Sequence, residues 1–222
     1  VPAFHQNIFL DYHNPRQILN LGGIANVTVL SQDPASTFGF DIGPANALSN
    51  EWVDKHWQIN YDEGGVLARS GTIQSSLLEK WLAIDYFNQP PPKSTGRELF
   101  NLQQMKQLTP EMDEFRKEDV LATLVELTAI SIGRGIENWG YTDGELFLCG
   151  GGAHNIYLVE RIQHHLLTVR IGRTDDLGIP VDMVEACAFA WLAYRTLNGM
   201  AGNLANTTGA KGPRVLGAIY PA

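Results

Sequence analysis

The chain has 222 residues, 44% hydrophobic and 18% charged, with a net charge of −8. This gives enough apolar content for a real core in one large or two small domains, and it excludes a disordered chain. An acidic balance without a basic tract excludes the electrostatic footprint of a nucleic-acid binder, and no run of about 18 apolar residues is present to cross a membrane.

Two cysteines, Cys149 and Cys187, sit inside apolar segments. They read as small buried hydrophobes in a reducing compartment, so with no signal-peptide pattern a cytoplasmic protein is expected. The opening Val1-Pro2-Ala3-Phe4 has neither an initiator Met nor a cap, which suggests a piece of a longer polypeptide.

Taken in chain order, residues 17–30 cluster Ile, Leu and Val around Gly22-Gly23, which predicts a β-hairpin or two adjacent strands. Residues 37–41 read as a short third strand ending on Asp41. Pro44 then suits the first turn of a helix, with its fixed φ and missing N–H, and Leu48, Trp52 and Val53 continue at helical spacing. One or two short helices follow over 64–86, with Leu77, Leu78, Trp81 and Leu82 on one face.

Pro90-Pro91-Pro92-Lys93-Ser94-Thr95-Gly96-Arg97 cannot be regular structure, because each proline removes a donor. A rigid loop ending in Lys, Ser, Thr and Arg is suited to contact a ligand. A long helix over 117–139 carries Val120, Leu121, Leu124, Leu127, Thr128, Ser131 and Ile132 on its inner stripe.

Residues 145–149 form a buried strand leading into Gly150-Gly151-Gly152-Ala153-His154-Asn155, followed by a helix with Leu158, Val159 and Ile162. Another strand is expected over 168–171, a helix from Pro180 to about Leu197, and a glycine-rich tail. A strand meander followed by interleaved helices and strands predicts an α/β fold, a mixed sheet flanked by helices.

Bare glycine backbone beside a carboxylate is what a phosphate-handling enzyme needs when it must also activate a nucleophile. Gly22-Gly23 alone also fits a simple tight turn. Asp41 fits either an N-cap of the helix at Pro44 or a catalytic carboxylate at the strand end where α/β sheets bind ligands. Both roles are compatible, since a helix start offers N–H groups to an anion.

Gly150-Gly151-Gly152 lets backbone approach a base or a phosphate, or simply packs a helix on the sheet. It is neither a Walker loop nor a GxGxxG fingerprint. In the apolar segment 181–194, Asp182 falls in the first helical turn and Glu185 one turn deeper, beside Phe189 and Leu192. Such a carboxylate needs an ion-pair partner or a ligand's hydroxyls. Ser70-Gly71-Thr72 reads as a helix end, adjacent His164 and His165 point apart, and no protein-held metal is expected.

Together the motifs resemble the anhydro-N-acetylmuramic acid kinases of the sugar kinase–Hsp70–actin superfamily, over nearly the whole chain. The likeness lies in 20–26 (NLGGIAN), 39–46 (GFDIGPAN), 91–98 (PPKSTGRE), 147–155 (FLCGGGAHN), 184–193 (VEACAFAWLA) and 212–217 (GPRVLG). The resemblance implies an actin-like, ribonuclease H-like ATPase lobe from an enzyme with two lobes around a cleft. Such an enzyme uses ATP and Mg²⁺ to open the 1,6-anhydro bond of 1,6-anhydro-N-acetylmuramic acid and phosphorylate O6, giving N-acetylmuramic acid 6-phosphate in cell-wall recycling.

By the same resemblance Asp41 is the base that activates water and Glu185 holds the sugar. Gly22 and Gly23 meet nucleotide phosphates, Gly150, Gly151 and Gly152 meet adenosine, and Asn26 and Asn155 are further nucleotide-binding residues. The implied partners are the sugar and ATP, without nucleic acid or membrane; a homodimer is compatible with the sequence, which does not fix the oligomeric state.

Two substitutions depart from the family pattern, Ile42 for Thr and Ala45 for Gly. Ile42 loses a hydroxyl suited to a phosphate or a metal-bound water, and Ala45 would tighten the helix start. The family's first phosphate loop, Ser-Gly-Thr-Ser-x-Asp-Gly, is absent, because Ser70-Gly71-Thr72 runs on into Ile73-Gln74. The layout implied is a remnant of the first lobe or its connection over 1–16, the C-terminal lobe over 17–198, and a tail over 199–222 packing toward the first lobe. Such a chain would not catalyse alone. The alternatives are another sugar kinase of the superfamily and a non-catalytic nucleotide-binding module, which Ile42 favours.

Overall fold

A computed structural model describes residues 1–220. Strands β1 (Arg16–Leu21) and β2 (Ile24–Val29) pair antiparallel around Gly22-Gly23, and β3 (Phe38–Pro44) adds antiparallel to β2. Strands β4 (Glu145–Cys149) and β5 (Arg170–Arg173) extend the other side in parallel, giving the order β3-β2-β1-β4-β5. Because β1 is central, its Ile18, Leu19 and Leu21 are all buried, the near-continuous apolar run of a strand covered on both faces.

Helix α1 (Pro2–Phe9) precedes the sheet. Between β3 and β4 come α2 (Asn46–Trp57), α3 (Val66–Arg69), α4 (Ser75–Leu82), α5 (Leu102–Leu108) and α6 (Lys117–Trp139). Then α7 (Ile156–His165) links β4 to β5, and α8 (Val184–Leu197) and α9 (Ala205–Thr208) close the described chain. The sheet's alternation divides the core. Leu19, Leu21, Val27, Phe40, Ile42, Leu146 and Leu148 meet α6 and its neighbours, while Ile18, Phe147 and Cys149 meet Phe4 and Phe9 of α1 and Val184 and Ala188 of α8. Each buried Val, Leu, Ile or Phe among them contributes about 1.5–3 kcal/mol.

Three boundaries differ from expectation. Strand β3 runs past Asp41 to Pro44, so Pro44 ends a strand and α2 begins only at Asn46. The cause is a bulge: Asn26 opposes Asp41 while Ala25 opposes Gly43, which leaves Ile42 as an extra residue and keeps the chain paired beyond Asp41. Helix α8 begins at Val184, because the Val181 carbonyl is drawn to the Gly150 N–H at 3.0 Å and the intervening residues turn. Strand β5 begins at Arg170, two residues later than expected. Helix α5 has no counterpart among the predicted elements; Asn101 caps it by accepting from the Gln104 N–H at 2.9 Å.

Cys149 is buried and Cys187 half-buried, neither in a disulfide. Among the described residues no helix is long and apolar enough to cross a membrane.

Candidate active site

The C-terminal ends of β1, β3 and β4 lie at one end of the sheet, so the Gly22-Gly23 hairpin, Asp41 and the Gly150–Gly152 loop share the edge where α/β sheets bind ligands. Register adds a feature the separate motifs hide. Asn20 stands opposite Asn26, Asn26 opposite Asp41, and Asn20 beside Cys149, so a polar row crosses four strands on the face that carries α1 and α8. Asn20, Asn26 and Asp41 are half-buried. The Cys149 thiol is pushed up to about 12 by burial, so it contributes no thiolate.

Asp41 is held from several sides. Its Oδ2 accepts the Thr95 backbone N–H at 3.0 Å, its own N–H donates to the Lys93 carbonyl at 3.3 Å, and its carbonyl accepts the Tyr86 hydroxyl at 2.7 Å. Its Oδ1 has no protein partner among the described residues. The proline loop is therefore fastened along the outer edge of β3.

The N-cap reading of Asp41 is replaced, since α2 takes Ala45 as its N-cap. The helix start offers little to an anion either. The N–H groups of Ala45, Asn46 and Ala47 donate to the carbonyls of Gly23, Gly22 and Gly23 at 3.0, 3.0 and 3.1 Å, which binds hairpin to helix.

Lys93 faces inward. Its ammonium lies 4.7 Å from the Tyr86 ring centroid, 4.8 Å from Trp139 and 5.9 Å from Phe40, and donates to the Tyr86 carbonyl at 3.1 Å. Burial lowers its pKa. Burial, followed by the negative charges of Asp41 and Glu98, raises that of the Tyr86 phenol. The loop's Arg97 is exposed instead, its guanidinium 3.9 Å from where a Cβ on Gly23 would stand.

The three loop glycines divide their roles. Gly150 has φ +80 and ψ 169, a conformation essentially closed to other residues, and a Cβ there would meet Asn20 Oδ1 at 2.4 Å. Gly152 is buried against Leu21, 2.6 Å from a hypothetical Cβ to the Leu21 Cβ. Only Gly151 faces open space, at the wall of a cleft of about 590 Å³ that Asn46, Ser49, Asn50, Tyr61 and Asn155 also line.

Asn155 Oδ1 caps α7 by accepting the Leu158 N–H at 3.0 Å, which leaves its amide nitrogen without a protein partner among the described residues. Ser49, Asn50 and Tyr61 had no signal in the sequence beyond being polar neighbours of a buried helix face.

Glu185 lies in the first turn of α8, exposed and without an ion pair among the described residues, and α8 packs on the sheet face of the polar row. Asp182 lies before the helix and pairs with His154 at 2.9 Å. Ile42 is 1% exposed and packs on Gly135 of α6, 3.2 Å from a hypothetical Cβ there. A hydroxyl at position 42 would therefore face the core and not a phosphate. Among the described residues no group of three or more His, Cys, Asp or Glu is placed to hold a metal, and His165 is instead bound to Glu126 at 2.8 Å.

An antiparallel hairpin feeding a parallel sheet, with glycine loops and a carboxylate at one sheet end, defines an actin-like ATPase lobe. The activator of 2-hydroxyisocaproyl-CoA dehydratase from Clostridium difficile, solved with bound ADPNP, shares that fold at a TM-score of 0.51 and 16% identity, over 83% of this chain and 61% of that one. Sequence goes further: the profile of the anhydro-N-acetylmuramic acid kinases matches residues 1–222, and the chain belongs to that family.

Relatives named anhydro-N-acetylmuramic acid kinase include those of Nitrosospira multiformis, 48% identical over 100% of this chain, and Photobacterium profundum, 47% identical over 100%. A third from Coxiella burnetii is 47% identical over 99%. The chain spans about 60% of the length of the first two relatives and 59% of the third.

Proposed function

We propose that this chain is the C-terminal lobe of an enzyme that couples ATP-dependent phosphorylation of O6 to hydrolysis of the 1,6-anhydro bond of 1,6-anhydro-N-acetylmuramic acid. The observation that carries this reading is the state of Asp41: one carboxylate oxygen fixed by the Thr95 N–H, the other without a protein partner among the described residues, at the sheet end that carries the glycine hairpin.

In this reading Oδ1 takes a proton from water as the water oxygen bonds to the anomeric carbon. The C1–O6 bond breaks, O6 bonds to the γ-phosphorus of ATP as the γ-phosphorus–bridging-oxygen bond breaks and ADP leaves, and Asp41 returns its proton to solvent. This is inverting-glycosidase logic with the phosphoryl group in place of the general acid.

Glu185 holds sugar hydroxyls, Gly22, Gly23 and Asn26 meet the phosphates, and adenosine enters the cleft beside Gly151 and Asn155. Gly150 and Gly152 shape that loop from behind. Mg²⁺ fits a site without an all-protein cage, since it keeps several waters and takes phosphate oxygens, where it neutralises charge. Asn20, Asn26 and Asp41 are the side chains of the polar row beside the hairpin whose oxygens would face such an ion or its waters.

Residues 1–16 act as the connection and the tail from 199 packs toward the first lobe. The exposed Phe189, Leu197, Leu216 and Ile219 support that arrangement. The free cysteines support a cytoplasmic site of action, and a homodimer is consistent with this reading.

The test is product mass, using a complete polypeptide made by joining this chain to the N-terminal part of the Nitrosospira relative. Gain of one phosphate and one water, lost in Asp41→Asn, is expected. Gain of phosphate alone would mean an ordinary sugar kinase, and no product a nucleotide-binding module. Turnover by the 222-residue chain alone would show that the proposed division of the site is wrong.

A further inference from the structure

Arg97 stands apart from the other cations around Asp41. Lys93 is caged by aromatic rings, whereas the Arg97 guanidinium makes no hydrogen bond, ion pair or ring contact with a described residue. Its backbone is nevertheless fastened on both sides. Two residues earlier the Thr95 N–H holds Asp41 Oδ2 at 3.0 Å, and the Arg97 carbonyl accepts the Asn101 side-chain amide at 2.8 Å. The N–H groups of Leu99 and Phe100 both turn back to the Gly96 carbonyl, at 3.3 and 3.2 Å. The side chain leaves this fixed loop toward the hairpin, with Nη2 at 3.9 Å and Nε at 4.0 Å from where a Gly23 Cβ would begin.

Most exposed arginines are simply solvated. This one combines an anchored backbone, an unspent planar fork and a position beside a side-chain-free turn, two residues along the loop from the N–H that holds Asp41. A guanidinium fork matches planar or tetrahedral oxyanions bidentately, and it loses little freedom when its base is already fixed.

We propose that Arg97 is an oxyanion-binding residue that clamps a negatively charged group of a substrate between the Gly22-Gly23 hairpin and Asp41, and so helps determine specificity. This rests on the function proposed above, which brings two such groups to that mouth: the transferring phosphoryl group and the carboxylate of the sugar's lactyl ether. The shared chemistry is a bidentate oxyanion, and the approach of the guanidinium to the side-chain-free face of Gly23 favours the phosphoryl group.

The experiment compares wild type, Arg97→Gln and Arg97→Lys in the complete polypeptide. It measures turnover of the anhydro-sugar and of its methyl ester, and calorimetric binding of ADP, ADPNP and the sugar acid. Arg97→Gln should leave the melting temperature and ADP binding unchanged, since the guanidinium has no hydrogen bond, ion pair or ring contact with a described residue to lose, and should lower kcat/KM by about 10²–10³-fold. Arg97→Lys should recover only a minor part, because the charge returns without the fork.

A loss that persists with the ester, together with ADPNP binding weakened tenfold or more, assigns the phosphoryl group. A loss that disappears with the ester, together with weakened binding of the sugar acid, assigns the carboxylate. Arg97→Gln within threefold of wild type in kcat/KM and in both ligand affinities overturns the proposal. Absence of wild-type turnover would count against the proposed reaction alone, since the binding measurements still report on Arg97.

Discussion

Replacing the three loop glycines one at a time by alanine should give three different outcomes. At Gly150 the backbone sits at φ +80, ψ 169, a region that costs a residue with a Cβ about 1–3 kcal/mol. The added methyl would also meet the Leu21 carbonyl carbon and oxygen at 3.1 Å and Asn20 Oδ1 at 2.4 Å. The Asn20 side chain can swing away but the β1 backbone cannot, so backbone strain and modest overpacking together are expected to cost about 3 kcal/mol. For a chain of this size that is a fall of roughly 6–12 °C in melting temperature.

At Gly152 the methyl meets the Leu21 Cβ at 2.6 Å and the Asn46 side-chain nitrogen at 3.0 Å, without a positive φ, so overpacking alone applies and about 1–3 kcal/mol is expected. At Gly151 there is nothing within 4 Å. Alanine there should stabilise by about 0.4–1 kcal/mol through the unfolded chain, while weakening nucleotide binding because the methyl intrudes into the cleft. Thermal melts of the 222-residue variants and calorimetry with ADP on the complete polypeptide separate the two effects. If Gly151→Ala destabilised as much as Gly150→Ala, or Gly150→Ala were neutral, the division between packed and open glycines would be wrong.

Other perturbations follow from the same geometry. Glu126, 4% exposed, accepts from Arg161 at 2.6 and 2.8 Å and bonds His165 at 2.8 Å. Burial works to raise its pKa, but the bonds to Arg161 and His165 outweigh it and leave the carboxyl below its ordinary value. Its stabilisation is then fully present above the unfolded carboxylate value of about 4.3 and is lost as pH falls through the lower folded value. Glu126→Gln should therefore cost about 2–4 kcal/mol in urea melts at pH 7, with the gap to wild type shrinking below about pH 4; a gap independent of pH would refute this.

Tyr86→Phe removes the hydroxyl that steadies the Asp41 carbonyl. It should cost about 0.5–1.5 kcal/mol and lower kcat several-fold in the complete polypeptide without changing KM for ATP, so a raised KM with kcat intact would show that the bond serves binding instead. Ile42→Thr should destabilise by about 1–2 kcal/mol by placing a hydroxyl against Gly135. A tenfold gain in turnover would contradict the core-facing position of that side chain.

The sequence was most legible where the backbone's needs and the side chains agreed. The apolar clusters on either side of Gly22-Gly23 mark β1 and β2, and the stripe on 117–139 marks α6, because burial in the sheet or on a helix face selects apolar residues. It was least legible around Asp41. The motif Asp-Ile-Gly-Pro satisfies every local rule for a strand end and helix cap, yet pairing with β2 carries the strand on to Pro44 through a bulge at Ile42, a tertiary contact that no local pattern encodes. The same holds for Thr95, whose backbone N–H does the orienting, so its side-chain identity carries no signal. Glu185 was legible as a charge on an apolar segment, but its lack of a partner depends on where α8 starts, which the bond from Gly150 to Val181 decides.

One physical pattern links the site's parts. Asp41 has one oxygen bound and one without a protein partner among the described residues, Gly151 stands open between two glycines packed on β1, and Arg97 has a fixed backbone and an unengaged side chain. A group anchored on one side and open on the other has already met the entropy and strain costs of positioning during folding, so little of a ligand's binding energy goes into ordering it. These anchors come from elements far apart in sequence, with residue 41 held by residue 95 and residue 150 by residue 181. Loosening Tyr86 or the Gly150 backbone should therefore impair the site at a distance, whereas changes at Gly151 or Arg97 should alter ligand binding and leave the fold intact.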